Sequence, residues 1–210
     1  MKPSDLYLGV MHFFSILLPG SVLAMLILWS GHADGLLSQL GLSQDVERWA
    51  TFLLASYGLG HLTFLVASSL DWLIYDSLRK IIWPDRPGSA YSRATQLRNA
   101  ELERHALNLE VMNTFTWAKA SLLRAWPDAS AQVQRYEADS KFFRSLCIVA
   151  ILAALQFSAQ SQKNLGYIAL VIAVLSLLRY VEQRRKSTTW AYRYMLVLHL
   201  QGDGGPKDTP

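Results

Sequence analysis

Two histidines lie inside long apolar stretches of the sequence, where ionisable side chains are unusual. His12 falls within the uncharged stretch 7–29, and His61 falls within the uncharged stretch 49–70. Both are set in from the ends of their stretches, so neither ring easily reaches water by bending toward a helix end. Because an ionisable group is costly inside a membrane, these residues are candidates for an ion path or a gate.

Polar and small residues recur at helical spacing around these histidines and define a predicted polar seam. The set is His12, Ser15, Ser56, Gly60, His61, Thr63 and Asp71. Small residues let a second helix approach closely. His61 lies about 100° from the face that carries Gly60, at the border of that face. The seam is therefore either an ion path or gate, or a set of interhelical hydrogen bonds that fixes packing.

A second candidate lies in the polar middle of the chain, where Arg98 and Asn99 precede His105. Arg98 and His105 are seven residues apart, about two helical turns, so they would share one face of a continuous helix. The alternative is a solvated helix face with charge pairs such as Glu101–Arg104.

This Arg-Asn…His string resembles the Arg-x4–6-His motif of HEPN-type ribonucleases. The resemblance covers eight residues, 98–105. In that family the His is the general base on a ribose hydroxyl, the Arg steadies the phosphate, and two motifs meet in a dimer. The resemblance implies those roles for His105 and Arg98, with Asn99 as a supporting residue.

A basic cluster, Arg184-Arg185-Lys186, follows the last apolar stretch. Basic residues next to a membrane helix bind anionic lipid head groups and set topology. The alternative ligand is an RNA or a nucleotide.

Four apolar stretches must position these residues, and they predict four membrane spans. The first two, 7–29 and 49–70, are long enough to cross about 30 Å of hydrocarbon. The other two, 145–159 and 165–178, are shorter and adjacent, so they predict a helical hairpin. The alternative is a hairpin buried against other subunits.

Between and beyond the spans, the sequence predicts further helices. We expect helices over 92–109 and 110–126, the second ended by Pro127. The next helix, capped by Asp128 or Ser130, should run unbroken from about 131 into the third span, and the fourth span should continue to about 200. The predicted domains are a membrane hairpin (1–78), a cytoplasmic helical region (79–141), a second membrane hairpin (142–182), a cytoplasmic helix (183–200) and a disordered tail (201–210).

The distribution of positive charge predicts the orientation. Of the 20 Lys and Arg residues, only Arg48 and Lys163 lie in the loops within the two hairpins. Cytoplasmic loops carry the excess of Lys and Arg, so both termini and segment 79–144 should face the cytoplasm of a bacterial inner membrane. This topology accounts for the net charge of +4 without a DNA partner.

Motifs for most common chemistries are missing from the sequence. It contains no P-loop, no Gly-rich dinucleotide fingerprint, no zinc-protease His pair and no nucleophile-elbow serine motif. His and acidic residues do not cluster at metal-ligand spacing, and the single cysteine, Cys147, allows no disulfide within the chain. We therefore expect no metal and no cofactor, and an enzymatic role is the less favoured interpretation.

These features together predict an all-α polytopic membrane protein, with four transmembrane helices and a cytoplasmic helical insertion between spans 2 and 3. The architecture with its Arg-Asn…His string resembles small four-span inner-membrane effectors of phage-defence operons, including CRISPR-accessory membrane proteins with a HEPN-like motif. That resemblance implies a homo-oligomer in the lipid bilayer that senses a cytoplasmic signal or partner and permeabilises the membrane. The alternatives are a membrane scaffold or sensor subunit that recruits a soluble partner protein, and a membrane-tethered HEPN-like ribonuclease.

Overall fold

A computed structural model describes residues 3–31, 45–71, 75, 88–106, 108 and 110–203. This described part is all-helical, with six helices and no strand. In chain order the helices are α1 (Pro3–Trp29), α2 (Asp45–Ala67), α3 (Ala90–Arg104), α4 (Thr114–Ala125), α5 (Pro127–Ala159) and α6 (Lys163–Asp203). The prediction of an all-α fold is confirmed for these residues.

Three of the helices, α2, α5 and α6, are long and apolar enough to span a membrane. The first predicted span falls in α1, a helix of 27 residues with Pro19 inside it; Ser15–Trp29 is an apolar part of this helix. The third and fourth apolar stretches belong to α5 and α6, which are 33 and 41 residues long. Both helices run through their polar segments without a break, as the sequence predicted.

The helix boundaries in the polar region differ from the sequence-based ones. Ser89 caps α3, and its side chain accepts a hydrogen bond from the backbone N–H of Ser92. The predicted helix 92–109 is too long, because α3 ends at Arg104 and Ala106 has a positive φ of 53°. That conformation is disfavoured in a right-handed helix. Arg98 therefore lies within α3, and His105 is the C-cap residue at its end.

The next helix starts later than its sequence suggested. Asn113 caps α4 by accepting a hydrogen bond from the N–H of Thr116, at 2.8 Å from its side-chain oxygen. The prediction of a helix from 110 was therefore wrong by about a turn. Pro127 follows the end of α4 as expected, but it opens α5, a position that suits a residue without an N–H. Asp128 and Ser130, the predicted caps, lie within the first turn of α5.

The chain divides into two compact units, and α5 and α6 contribute to both. Unit 1 comprises Met1–Asp76 and Ala138–Glu182, and unit 2 comprises Ser77–Glu137 and Gln183–Pro210. Of the predicted disordered tail, 204–210 lie outside the described residues, whereas 201–203 belong to α6.

In unit 1, α1 and α2 pack so closely that their backbones touch. A Cβ atom on Gly20 would collide with the carbonyl oxygen of Ser56, and one on Gly60 would collide with the carbonyl oxygen of Ile16. Glycine permits this approach because it has no side chain. A small core joins α1 to α5 and α6, and it consists of Leu26, Val149, Ala153, Phe157 and Ala169.

Unit 2 has its own hydrophobic core, built from four helices. Trp117, Ala118 and Leu122 of α4 lie at its centre. Around them pack Ala94 of α3, Ala129 and Val133 of α5, and Ala191, Tyr192 and Met195 of α6. The indole N–H of Trp117 donates to a carboxylate oxygen of Glu101 at 3.0 Å, so the polar atom of this buried ring is satisfied.

Candidate functional site

The buried part of the predicted seam is a contact between α1 and α2. Ser15, Ser56, Gly60 and Thr63 are all buried. The Thr63 hydroxyl donates to the carbonyl oxygen of Leu59 at 2.8 Å, within its own helix. The backbone of α1 fills the space beside Ser56 and Gly60. These residues therefore form a tight helix–helix contact and leave no open path between the two helices at this point.

His61 of the seam does not join that contact. His61 is exposed on α2, and the edge of its ring meets Tyr57, with the ring centroids 4.6 Å apart. Tyr57 in turn stacks on Phe13, at 5.9 Å between centroids. The side chain of His12 lies outside the described residues. Contacts within the described part of the chain therefore do not explain why an ionisable residue, His61, lies exposed on this apolar helix.

The last member of the seam, Asp71, lies at the centre of a charged cluster in unit 1. One carboxylate oxygen accepts from a terminal guanidinium nitrogen of Arg144 on α5, in an ion pair. The other accepts from the hydroxyl of Tyr180 on α6, at 2.5 Å. The Tyr180 ring lies against Tyr75, with 6.4 Å between centroids. We call Asp71, Arg144 and Tyr180 the Asp71 cluster.

The Asp71 cluster is shielded mainly on its cationic side. The Arg144 side chain is 6% exposed, whereas that of Asp71 is 35% exposed. The Arg144 guanidinium also lies over the ring of Phe64 on α2, 4.9 Å from its centroid. A guanidinium taken out of water needs an anionic partner, and charge-assisted hydrogen bonds are the strong ones. Asp71 thus stabilises a buried cation and joins the segment after α2 to both α5 and α6.

Sequence reasoning found Asp71 but missed both partners. Arg144 and Tyr180 flank the third and fourth apolar stretches, where such residues commonly reach toward the membrane surface. The available signal was complementary charge: Asp71 ends one apolar stretch and Arg144 begins another. Which of the nearby basic residues would pair with Asp71 depends on the packing of the helices.

Within the Arg98–His105 string, Arg98 is held by contacts inside unit 2. The Arg98 guanidinium donates to the side-chain oxygen of Asn99, at 2.6 and 3.0 Å, and to the carbonyl oxygen of Met112 at 3.1 Å. His105 is the exposed C-cap residue of α3. Arg98 therefore ties α3 to the segment before α4. The predicted catalytic roles stay a prediction.

The basic cluster after the fourth apolar stretch belongs to unit 2 and is partly engaged there. The Arg184 guanidinium lies over the ring of Phe115, 5.6 Å from its centroid. Lys119 approaches the same ring at 5.4 Å and forms an ion pair with Glu137. Arg185 is exposed, and Lys186 is partly exposed. The lipid-binding role of Arg184, Arg185 and Lys186 stays a prediction.

The described residues contain no group of three or more His, Cys, Asp or Glu side chains that could hold a metal ion.

Fold and site together define an all-α protein in which three helices could span a membrane and a charged cluster joins segments of unit 1. Comparison with protein-family models, curated proteins and solved structures found no match for this chain.

Proposed function

We propose that this protein is an oligomeric inner-membrane effector: unit 2 senses a signal or partner in the cytoplasm, and unit 1 permeabilises the membrane. The observation that carries the proposal is the Asp71 cluster. Ionisable residues held among apolar helices are expensive and typically mark ion pathways, gates or relays.

The proposal uses a four-span topology. We count α1 as a span beside α2, α5 and α6, because its 27 residues extend roughly 40 Å. The distribution of Lys and Arg then puts both termini and unit 2 in the cytoplasm. The outward residues of the apolar part of α6 suit lipid tails, since they include the exposed side chains of Ile168, Leu170, Val171, Val174, Leu175 and Leu178.

The mechanism we propose starts from the two long helices. The partners of Asp71 lie on α5 and α6, and the same two helices supply core residues to unit 2, among them Val133 and Tyr192. A ligand that repacks the unit 2 core would therefore act on helices that also hold Asp71. Loss of the ion pair would leave a guanidinium inside unit 1 without its counter-ion. Such a state favours the entry of water and ions.

Bilayer conductance tests the proposal. Reconstituted into planar bilayers without its ligand, the wild-type protein should open rarely, and Asp71→Asn should raise the open probability because it removes the counter-ion of Arg144. The matched control is Glu182→Gln, which breaks the exposed ion pair between Arg179 and Glu182 in the same unit. A silent bilayer for every variant, with folded protein present, would reject the pore.

Cell-based measurement addresses the same proposal in the native membrane. Expression under inducing conditions should depolarise cells, as reported by a voltage-sensitive dye, and Asp71→Asn should change the extent of depolarisation. Unchanged potential on expression of the wild type would contradict an effector that permeabilises the membrane. The link to anti-phage defence rests only on the resemblance to four-span effectors. Its test is the plating efficiency of phages on cells with and without the protein.

A second candidate function is a membrane scaffold or sensor subunit that holds a soluble protein on unit 2. Two large apolar side chains of this unit, Val111 and Leu123, are 64% and 60% exposed. Under this alternative, the two side chains lie on the surface that the partner covers. Under this alternative, Leu123→Asp would abolish recruitment of the partner while the bilayers stay silent. Under the effector proposal, Asp71→Asn should conduct as purified protein, with no partner present.

A further inference from the structure

The outward face of α2 combines two features that the protomer does not use. Gly58 has open space beside it, because a Cβ atom there would meet nothing within 4 Å. His61, almost one turn further along, presents an exposed imidazole that meets the ring of Tyr57 edge-on. Leu54 and Leu65 flank them on the same side and are 73% and 68% exposed. We call this set the Gly58 face.

The Gly58 face lies opposite the face that packs on α1. At about 100° per residue, Gly58 is some 160° around the helix from Gly60. Gly60 has an evident purpose, since the carbonyl of Ile16 occupies the position of its missing side chain. A glycine within a helix costs about 1 kcal/mol relative to alanine. Nothing in the described protomer offsets that cost at Gly58.

We propose that a second copy of this chain packs on the Gly58 face. This inference rests on the membrane placement in the proposed function and adds the surface through which the oligomer forms. Between helices in lipid, burial of apolar side chains gives little drive for association, because lipid tails are equally apolar. Close backbone approach and interhelical hydrogen bonds supply it instead. Gly58 permits close approach of a second backbone, and His61 supplies a side chain that can form an interhelical hydrogen bond.

The choice of a second copy follows from the chemistry of His61. A neutral imidazole carries one donor and one acceptor, so two such rings are complementary to each other. Copies inserted with the same topology bring the same residue to the same depth, and a two-fold contact repeats the same patch on both sides. His61 of one copy therefore meets His61 of the other without a specially evolved partner surface. The lipid-exposed side of α6 lacks this combination.

Cysteine cross-linking in native membranes tests the inference. The single native cysteine is replaced by Cys147→Ser, and Leu54→Cys, Gly58→Cys and Leu65→Cys are introduced one at a time. Oxidation should give disulfide-linked dimers for these three variants. The matched control is Leu53→Cys, which is 50% exposed but lies on the side of α2 nearer to Gly60. Equal cross-linking of Leu53→Cys, or no cross-linking of the three, would overturn the proposal.

Substitution provides an independent measurement in detergent or lipid. Gly58→Ile should leave the protomer folded, because its side chain meets open space, yet block the close approach of a second copy. His61→Leu should weaken self-association by roughly three- to thirty-fold, the range that interhelical hydrogen bonds contribute. His61→Asn, which keeps a donor and an acceptor, should restore part of the loss. Unchanged oligomer mass for Gly58→Ile would reject the Gly58 face.

Failure of this inference can be told from failure of the proposed function. Carbonate extraction first establishes whether each variant is in the membrane. Conductance without cross-linking at the Gly58 face would retain the pore and reject this interface. Cross-linking with silent bilayers would retain the interface and reject the pore.

Discussion

Asp71 and Arg144 lie 73 positions apart in the chain and form an ion pair in unit 1. The pair is asymmetric, because Arg144 is almost entirely buried whereas Asp71 keeps about a third of its side chain exposed. Tyr180 donates a hydrogen bond to the carboxylate oxygen of Asp71 that does not face Arg144. The two partners should therefore respond differently to neutralisation.

Asp71→Asn should destabilise the protein more than Arg144→Met. The first change leaves a buried guanidinium without its anion, a defect that costs about 3–5 kcal/mol in buried pairs. The second leaves a partly exposed carboxylate that still accepts from Tyr180. Thermal unfolding of each purified variant in detergent, monitored by circular dichroism, shows which of the two substitutions destabilises the protein more. Arg179→Met, at an exposed ion pair, is the control and should have little effect. A greater loss of stability in Arg144→Met than in Asp71→Asn would contradict the assignment of Arg144 as the buried residue of the ion pair.

The contact between α1 and α2 predicts opposite responses at two glycines of one helix. Gly60→Ala should destabilise unit 1, because the added methyl group collides with the Ile16 carbonyl oxygen. Gly58→Ala should leave protomer stability unchanged or raise it by up to about 1 kcal/mol, since alanine is the better helix former and the site is open. The measurement is the melting temperature of each variant, at a detergent concentration that keeps the protomers apart. Similar losses at both positions would mean that the packing of α2 differs from the one described.

Neighbouring leucines on α4 provide a matched test of the unit 2 core. Leu122 is fully buried, whereas Leu123 is 60% exposed. Leu122→Ala should cost about 2–5 kcal/mol, the range for a leucine removed from a packed core. Leu123→Ala should change stability by less than about 0.5 kcal/mol, as surface substitutions do. Denaturant unfolding monitored by tryptophan fluorescence can follow both, because Trp117 lies in the same core.

The amino-acid sequence predicted the helical class well because the relevant signals are local. Long uncharged stretches, Pro127 after a helix and the spacing of small residues on α2 all depend on neighbours within a few positions. The unbroken α5 and α6 were also predictable, since no proline or glycine run interrupts their polar segments. The end of α3 was not, because Ala106 adopts its positive φ without the glycine that would have indicated a helix terminus.

The candidate site could be predicted only in part for a physical reason. Periodicity placed Ser56, Gly60 and Thr63 on one face, and that face is buried. It could not identify what covers the face, nor that His61 stays exposed at its border. The partner of Asp71 depends on packing between segments far apart in the chain, where several basic residues were equally plausible. Helical spacing also put Arg98 and His105 on one face; Arg98 lies within α3 and His105 is its C-cap residue, and the catalytic roles of the two stay a prediction.

The contacts of Arg98 predict a structural role that can be separated from catalysis. Arg98→Ala should lower stability by about 1–3 kcal/mol, because the carbonyl of Met112 loses its donor and the start of α4 loses a tie to α3. His105→Ala should leave stability unchanged, since the ring is exposed. Neither change should alter cleavage of a labelled RNA by the purified protein. RNA cleavage by the wild type that His105→Ala abolishes would instead establish the HEPN-like chemistry.

Membrane topology is the prediction on which the others most depend, and single cysteines can measure it. In the Cys147→Ser background, Gln160→Cys, between α5 and α6, should react with a membrane-impermeant maleimide in intact cells. Glu103→Cys, exposed on α3, should react only after permeabilisation, because unit 2 is predicted to be cytoplasmic. Ser4→Cys distinguishes four spans from three: it should be protected like Glu103→Cys if α1 crosses the membrane, and labelled like Gln160→Cys if α1 does not. Labelling of Glu103→Cys in intact cells would invert the orientation and remove the cytoplasmic signal from the proposed mechanism.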